Sequence, residues 1–302
     1  MRALTHTVHP ERSGCAAAAE SKGRAAERTD AAPLPPGSGT LRVARAGGLS
    51  AVVSCAAASP LHLFTPRPRG EAVWAVATTH GGGLVAGDAI DLEVEVGPGA
   101  TALLSTQSNT RVYRSTGATA TQRLVARVAE GAALAVLPEP TTPFAGARLA
   151  ASQRFVLAAG ASLLLVDALS EGRGARGERW AFTACASRNE IEVAGRPVLA
   201  DAVRLVAGEG PSPAARMGEF ALLATVVALG PAMAAGAARI LAEHASAPVH
   251  PQSPVLAAAS PLADGVHLRL AARSVAAGMA HVRAHLAFAA ALLGVAPFDR
   301  RP

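Results

Sequence analysis

The feature that most narrows the possible folds is an internal repeat. Residues 90–104 (IDLEVEVGPGATALL), 122–137 (QRLVARVAEGAALAVL) and 153–166 (QRFVLAAGASLLLV) follow one plan: a strand, a turn ending in Gly-Ala, then an apolar strand. The turn glycines Gly99, Gly131 and Gly160 stand 32 and 29 residues apart. A period near 30 residues built from strands predicts stacked β layers, in which each unit covers the apolar face of its neighbour. A β-sandwich is the competing architecture; the repeat favours a β-superhelix. Within the first unit, DLEVEV at 91–96 alternates strictly and places Leu92, Val94 and Val96 on one face. Residues 121–128, 152–158 and 188–193 have similar texture, with turn signals such as GPGA at 97–100 and EPTTP at 139–143 between them.

The flanks of the repeat differ from it. Residues 1–40 are rich in Ala, Gly, Ser, Pro and charge, show no apolar period and end in PLPPGSG, so a flexible leader is expected, with order beginning near Leu41. Residues 41–302 are expected to be a single domain, with a β body over about 41–228 and a helix-containing part over about 229–302. Residues 220–228 read as a buried strand, although a helix fits nearly as well. Pro231 opens an Ala-rich helix to about Ala245, residues 266–272 alternate as a strand, and Ser274 caps a long helix through Leu293, ended by Gly294 and Pro297. The fold class is therefore mainly β: a β-superhelix or stacked-sheet body with two C-terminal helices.

Composition bears on function more than on fold. Half the residues are apolar but only 3% are aromatic, so Ala, Val and Leu must build the core. The net charge of +6 comes almost wholly from arginine, Lys22 being the sole lysine, and no basic run tracks a phosphate backbone. A basic nucleic-acid-binding β protein is the alternative that composition alone leaves standing, but one Tyr and two Trp offer few stacking surfaces. Cys15, Cys55 and Cys185 are odd in number and far apart, which fits a reducing compartment. The start of the chain lacks a secretory apolar core, and no uncharged apolar window of membrane-spanning length occurs. A cytoplasmic protein with no membrane partner is expected.

Catalytic motifs are sparse. HGGG at 80–83 resembles an oxyanion-hole loop, but no G-x-S-x-G elbow follows, and no phosphate-binding P-loop exists. A hydrolase would need a Ser-His-Asp geometry to revive it. His281 and His285 lie four apart on the expected helix, yet H-V-R-A-H lacks the glutamate of H-E-x-x-H and Arg283 adds a like charge. They read as ordinary surface or core-edge histidines. Cys185 reads as a small buried apolar residue. Asp88, Asp91, Glu139, Asp167, Glu171 and Glu178 sit at turns and strand ends, where turn formation and salt bridges are the ordinary roles. Oxygen-only sites would hold a borderline transition-metal ion loosely, which suits passing a metal on better than storing it.

Six blocks together go beyond these generic signals: GGGLVAGD (81–88) with DLEVEV, LLSTQSNTRVYRS (103–115), LPEPTTPF (137–144), VDALSEGRGARGE (166–178) and SRNEIEV (187–193). In order and spacing they resemble the UreD (UreH) family of urease accessory proteins, strongly over about 50–205 and weakly beyond. The chain departs from the family pattern at Arg111, where lysine is usual, and at its tail, 298–302. The resemblance implies a non-enzymatic protein with a right-handed β-superhelical body and helices near its C-terminal part. It implies a complex with UreF and the GTPase UreG that binds apo-urease, in which GTP hydrolysis by UreG is coupled to nickel delivery. It implies no tightly bound cofactor, only transient nickel, for which an internal route through the protein is the proposed path. On this resemblance Asp88, Glu139 and Asp167 are expected to line a metal path. Thr106, Gln107 and Tyr113 would form its wall or serve as core hydrogen-bonding groups. Arg111, Arg114, Arg173 and Arg176 are candidate partner contacts or solvated charges, and Gly81, Gly82, Gly83 and Gly87 are structural turn residues.

Overall fold

Strand alternation decides which face of each element is wet. A computed structural model describes residues 33–67, 70–245, 250–294 and 296, and in it the repeat units wind into a solenoid of about four turns. The first turn runs through strands Val73–Thr79, Gly83–Leu84 and Ala89–Val96; the second through Thr101–Thr106, Thr110–Val112 and Ala120–Val128. The third comprises Ala133–Leu137, Thr141–Pro143 and Arg148–Leu157, and the fourth Ser162–Ser170 and Ala184–Val193. Equivalent strands lie side by side in parallel register, the last of each turn in a seven-stranded sheet and the first of each turn in an 11-stranded sheet.

The repeat glycines set the corner between the two sheets. Gly99, Gly131 and Gly160 have φ of 63°, 66° and 72°. Each is the third residue of a β-turn closed by the next alanine: Ala100 N–H to Gly97 O (3.1 Å), Ala132 to Ala129 (3.1 Å) and Ala161 to Ala158 (3.2 Å). A Cβ on Gly131 would meet nothing nearer than Gly99 at 3.9 Å, so there the demand for glycine comes from φ alone. Gly131→Ala is expected to cost about 1 kcal/mol, read as a lower urea midpoint at unchanged m-value.

The two arms of each repeat differ in pattern because their outer faces differ. In the seven-stranded sheet Leu92, Val94, Leu149, Phe155 and Ile191 point into the core shared by the two sheets, while the outer face carries ion pairs such as Asp91–Arg123 (2.8 Å) and Arg42–Glu95 (3.1 Å). The middle of the 11-stranded sheet is covered on both sides. Ala133–Leu137 is buried throughout, with Leu134 and Val136 in the inter-sheet core and Ala135 and Leu137 in a second core beneath the helices. A strand covered on both faces reads as an unbroken apolar run. Each leucine so buried contributes roughly 1.5–3 kcal/mol.

Antiparallel strands cap the parallel stack. Ser38–Ala46 pairs with Ala89–Val96 and turns back as Leu49–Ala57; at the other end Arg196–Val206, Leu222–Leu229, Gly265–Ala272 and Val255–Leu262 are added antiparallel. The first strand begins at Ser38, so the last residues of the expected leader belong to the sheet. The rest of that leader, up to residue 32, lies outside the described residues, as do 297–302 of the tail.

The helices depart from expectation in two ways. α1 (Pro213–Met217), capped by Ser212 through the N–H of Ala215 (3.1 Å), was not anticipated. α2 (Ala234–Ala245) follows a single 3₁₀ turn at Pro231–Met233, as Pro231 led one to expect. The single long helix predicted from Ser274 is instead α3 (Val275–His285) and a detached last turn, α4 (Ala289–Leu293). Between them the bonds tighten to i→i−3, with Ala287 N–H to Ala284 O at 3.4 Å and Ala289 N–H to Leu286 O at 3.0 Å. The break lets the Phe288 ring lie over Gly236 of α2, where there is no room even for a Cβ. α2, α3 and α4 all pack against the 11-stranded sheet.

Candidate functional site

The site follows from the parity of one strand. In Ser162–Ser170, Leu163 and Leu165 enter the inter-sheet core while Leu164 and Val166 face the helices. Asp167 continues the inward series, so its carboxylate points between the sheets. Register places Thr225 beside it and Arg269 beyond. In the facing sheet Gln153, Asn189 and Asp201 occupy neighbouring positions at one level. These six residues interrupt the apolar core with a polar layer.

The layer is knitted by hydrogen bonds. Ser187 Oγ and Asn189 Nδ2 both donate to Asp167 Oδ2, at 2.7 and 2.9 Å, and Gln153 Nε2 donates to Asn189 Oδ1 at 3.0 Å. Oδ1 of Asp167 takes no hydrogen bond among the described residues. Thr225 Oγ1 donates to Asp201 Oδ2 at 3.3 Å, and Arg269 forms an ion pair with Asp201. Asn189 and Asp201 are 1% and 5% exposed, so these bonds offset a full desolvation cost.

Two cavities meet at Asp167. One, of about 160 Å³, is lined by Thr106, Gln107, Thr110, Gln122 and Gln153 and reaches the Gly82–Gly83 loop. The other, of about 30 Å³, is lined by Cys185, Ser187, Val203 and Thr225. Asp167, Thr141 and Ala151 line both. The arrangement offers neutral oxygens, one carboxylate anchored through a single oxygen, and no general base or nucleophile aligned on a partner.

Cys185 borders the smaller cavity but is not a thiolate. Burial, aided by the nearby Asp167 charge, pushes its thiol up to about 12, so it stays protonated at neutral pH. Maleimide is expected to label the exposed Cys55 in the native protein and to reach Cys185 only after unfolding, as peptide mass spectrometry would show.

The structure separates the residues that the sequence grouped. Asp167, Thr106 and Gln107 line the larger cavity; Asp88, Glu139 and Tyr113 do not. Asp88 closes its own turn, its Oδ2 accepting from the N–H of Val85 at 2.8 Å. Glu139 lies two residues beyond Leu137, which faces the helices, and its carboxylate pairs with Arg283 of α3 at 3.5 Å. A one-residue change of parity thus sends Glu139 and Asp167 to opposite sides of the same sheet. Tyr113 donates to Gly81 O (3.3 Å) and packs edge-on against Phe144. Thr106 Oγ1 also accepts from the N–H of Glu139 at 2.9 Å.

Among the arginines, Arg173 is half-buried, held by Glu178 and placed over the Phe144 ring at 4.3 Å. Bonding to Arg173 in turn lowers the pKa of Glu178. Arg111, Arg114 and Arg176 are exposed. Gly81, Gly82 and Gly87 have φ of 75°, 69° and 85°, and a Cβ on Gly83 would come within 2.6 Å of Arg111 O. Gln122, Gln153, Asn189, Asp201 and Thr225 were missed by the sequence reading. Their only signal is a polar residue at an inward position of an otherwise apolar face.

Comparison with known proteins shows the family. The profile of the UreD urease accessory protein family matches residues 36–301. The chain belongs to the UreD family. A UreD relative from Anaeromyxobacter sp. (strain Fw109-5), named urease accessory protein UreD, is 56% identical over 269 residues, spanning 89% of this chain and 91% of the relative. The protein of the same name from Sorangium cellulosum (strain So ce56) is 46% identical over 88% of this chain and 84% of its own. Urease accessory protein D of Oryza sativa subsp. japonica is 33% identical over 91% of this chain and 98% of its own. The UreD match takes in every described strand and all four helices, hence the whole polar layer.

Proposed function

We propose that this UreD-family chain is a non-enzymatic scaffold of urease maturation in the cytoplasm, acting with UreF and the GTPase UreG to place nickel in apo-urease. The observation that carries the reading is similarity over residues 36–301 to the family, and over nearly nine-tenths of the chain to relatives named urease accessory proteins. The interior chemistry supports it. A divalent cation entering the larger cavity meets the neutral oxygens of Thr106, Gln107, Gln122 and Gln153, then the carboxylate of Asp167. Oxygen ligands hold nickel less firmly than imidazole or thiolate, so the ion can leave again, and the protonated Cys185 does not trap it. Nickel is cargo here, not a resident cofactor.

The surface supports a protein partner over a nucleic acid. Arg42, Arg123, Arg154, Arg188 and Arg204 on the seven-stranded sheet are each paired with a carboxylate, which removes the continuous basic face that a phosphate backbone requires. Strand Leu49–Ala57 ends that sheet and exposes Leu49, Val52 and Val53, an apolar edge of the kind that a partner covers. No helix among the described residues is long and apolar enough to cross a membrane.

The test is association. A tagged form of the chain, co-expressed with urease subunits, UreF and UreG, is expected to retain apo-urease and both accessory proteins on an affinity column. A soluble tagged chain that retains none of them would remove the scaffold role.

A further inference from the structure

The helices on the far side of the 11-stranded sheet bring together three imidazoles that the interior cavities do not use. His281 and His285 are one turn apart on α3, and His244 stands in the last turn of α2. The pair alone carried no more than a spacing; the third member comes from 37 residues earlier in the chain and is visible only in the fold. Ile240 of α2 and Met279, Val282 and Leu286 around α3 are buried in one apolar layer, which fixes the two helices and hence the three rings.

We propose that His244, His281 and His285 form a binding site for a borderline divalent cation, Ni²⁺ or Zn²⁺, on this helical flank. The rings converge through one edge: Nε2 of His285 is 3.1 Å from Nε2 of His244 and 3.0 Å from Nε2 of His281, and the three ligand atoms lie within 4.8 Å of one another. Metal–nitrogen bonds near 2.1 Å put adjacent ligand atoms about 3.0 Å apart at right angles and about 3.4 Å apart at the tetrahedral angle. The observed separations fall beside those values, so an ion needs only small ring movements to close the third side.

The surroundings orient the ligands. Glu243 Oε2 lies 3.0 Å from Nδ1 of His285; a carboxylate accepts, so Nδ1 carries the proton and Nε2 turns its lone pair toward the other two rings. Arg239 braces this pair. It contacts Glu243 at 3.4 Å and donates to the carbonyls of Ala284 and His285 at 3.2 and 3.0 Å. Arg283, the cation that argued against a site in the sequence, is directed to Glu139. Burial, with the neighbouring His281 ring, pushes the pKa of His285 down to about 4, and burial also lowers that of His281. Imidazole-only sites prefer nickel, zinc and copper over magnesium or calcium. The site stands independently of the interior route and of the role in urease maturation.

Equilibrium dialysis of the untagged full-length chain against Ni²⁺, Zn²⁺ and Mg²⁺, each alone near pH 7.5, tests it. His244→Gln and His281→Gln alter partly exposed residues, with thermal melting to confirm that both fold, and Glu95→Gln, on the outer face of the seven-stranded sheet, is the control. The expected result is binding of Ni²⁺ or Zn²⁺ but not Mg²⁺, weakened at least tenfold in each histidine variant and unchanged in Glu95→Gln. Bound Co²⁺ should show ligand-field bands in wild type that are lost in His281→Gln. The proposal is overturned if no Ni²⁺ or Zn²⁺ binds, if the histidine variants bind like wild type, or if binding disappears with Glu95→Gln alone.

Discussion

Urease activation is expected to fall tenfold or more when Asp167 is replaced by asparagine, with protein yield and complex formation unchanged. The amide is nearly isosteric, and its oxygen can still accept from Ser187 or Asn189, so the polar layer keeps its shape. What it loses is the charge. Two unit charges at contact distance in a medium of effective dielectric 20 interact by about 4 kcal/mol, and a third of that is already a tenfold effect. Glu139→Gln is the matched control, because that carboxylate is on the helix side of the sheet and pairs with Arg283. It should leave activation within about twofold, a change of well under 1 kcal/mol. Equal effects from both variants would show that interior position does not matter and would confine this chain to a scaffold.

The largest effect on stability is expected at the other end of the polar layer. Asp201 is 4% exposed at its side chain while its partner Arg269 is 51% exposed. Removing the arginine leaves a buried carboxylate supported, among the described residues, only by Thr225, an uncompensated charge that costs about 3 kcal/mol or more. Asp201→Ala should cost clearly less, because the released guanidinium can turn to water. The double variant Asp201→Leu, Arg269→Met should recover most of the loss, since a well-packed apolar pair often equals a buried ion pair. Urea denaturation of the four proteins measures all three statements. Equal losses for the two single variants would mean that the charge is not buried as the geometry says.

Much of the fold was legible because it repeats. The Gly99, Gly131 and Gly160 turns, the alternation of DLEVEV and the apolar runs after each turn are consequences of a coil with one wet and one doubly covered sheet. The break after His285 was not legible: Ala and Leu continue through it with good helix propensity, and the chain turns so that Phe288 can pack on Gly236, a contact 52 residues away. Of the candidate site, Asp167 could be found because it ends an apolar run. Glu139 was misplaced because PEP at 138–140 hides the strand parity that decides its side. Asn189, Asp201 and Thr225 become visible only when three strands are set in register. His244 joins His281 and His285 only when two helices are set on one sheet.

The claim at the centre of this account is that the chain supports nickel loading of urease. It is tested most directly in cells carrying the matching urease, UreF and UreG but no UreD-family protein, by measuring urease activity and nickel per purified urease with and without this chain. Nickel-poor, inactive urease is expected without the chain, and restoration of both quantities with it. Urease that loads nickel equally well in its absence, or that stays nickel-free while the chain is soluble and its partners are present, would contradict it.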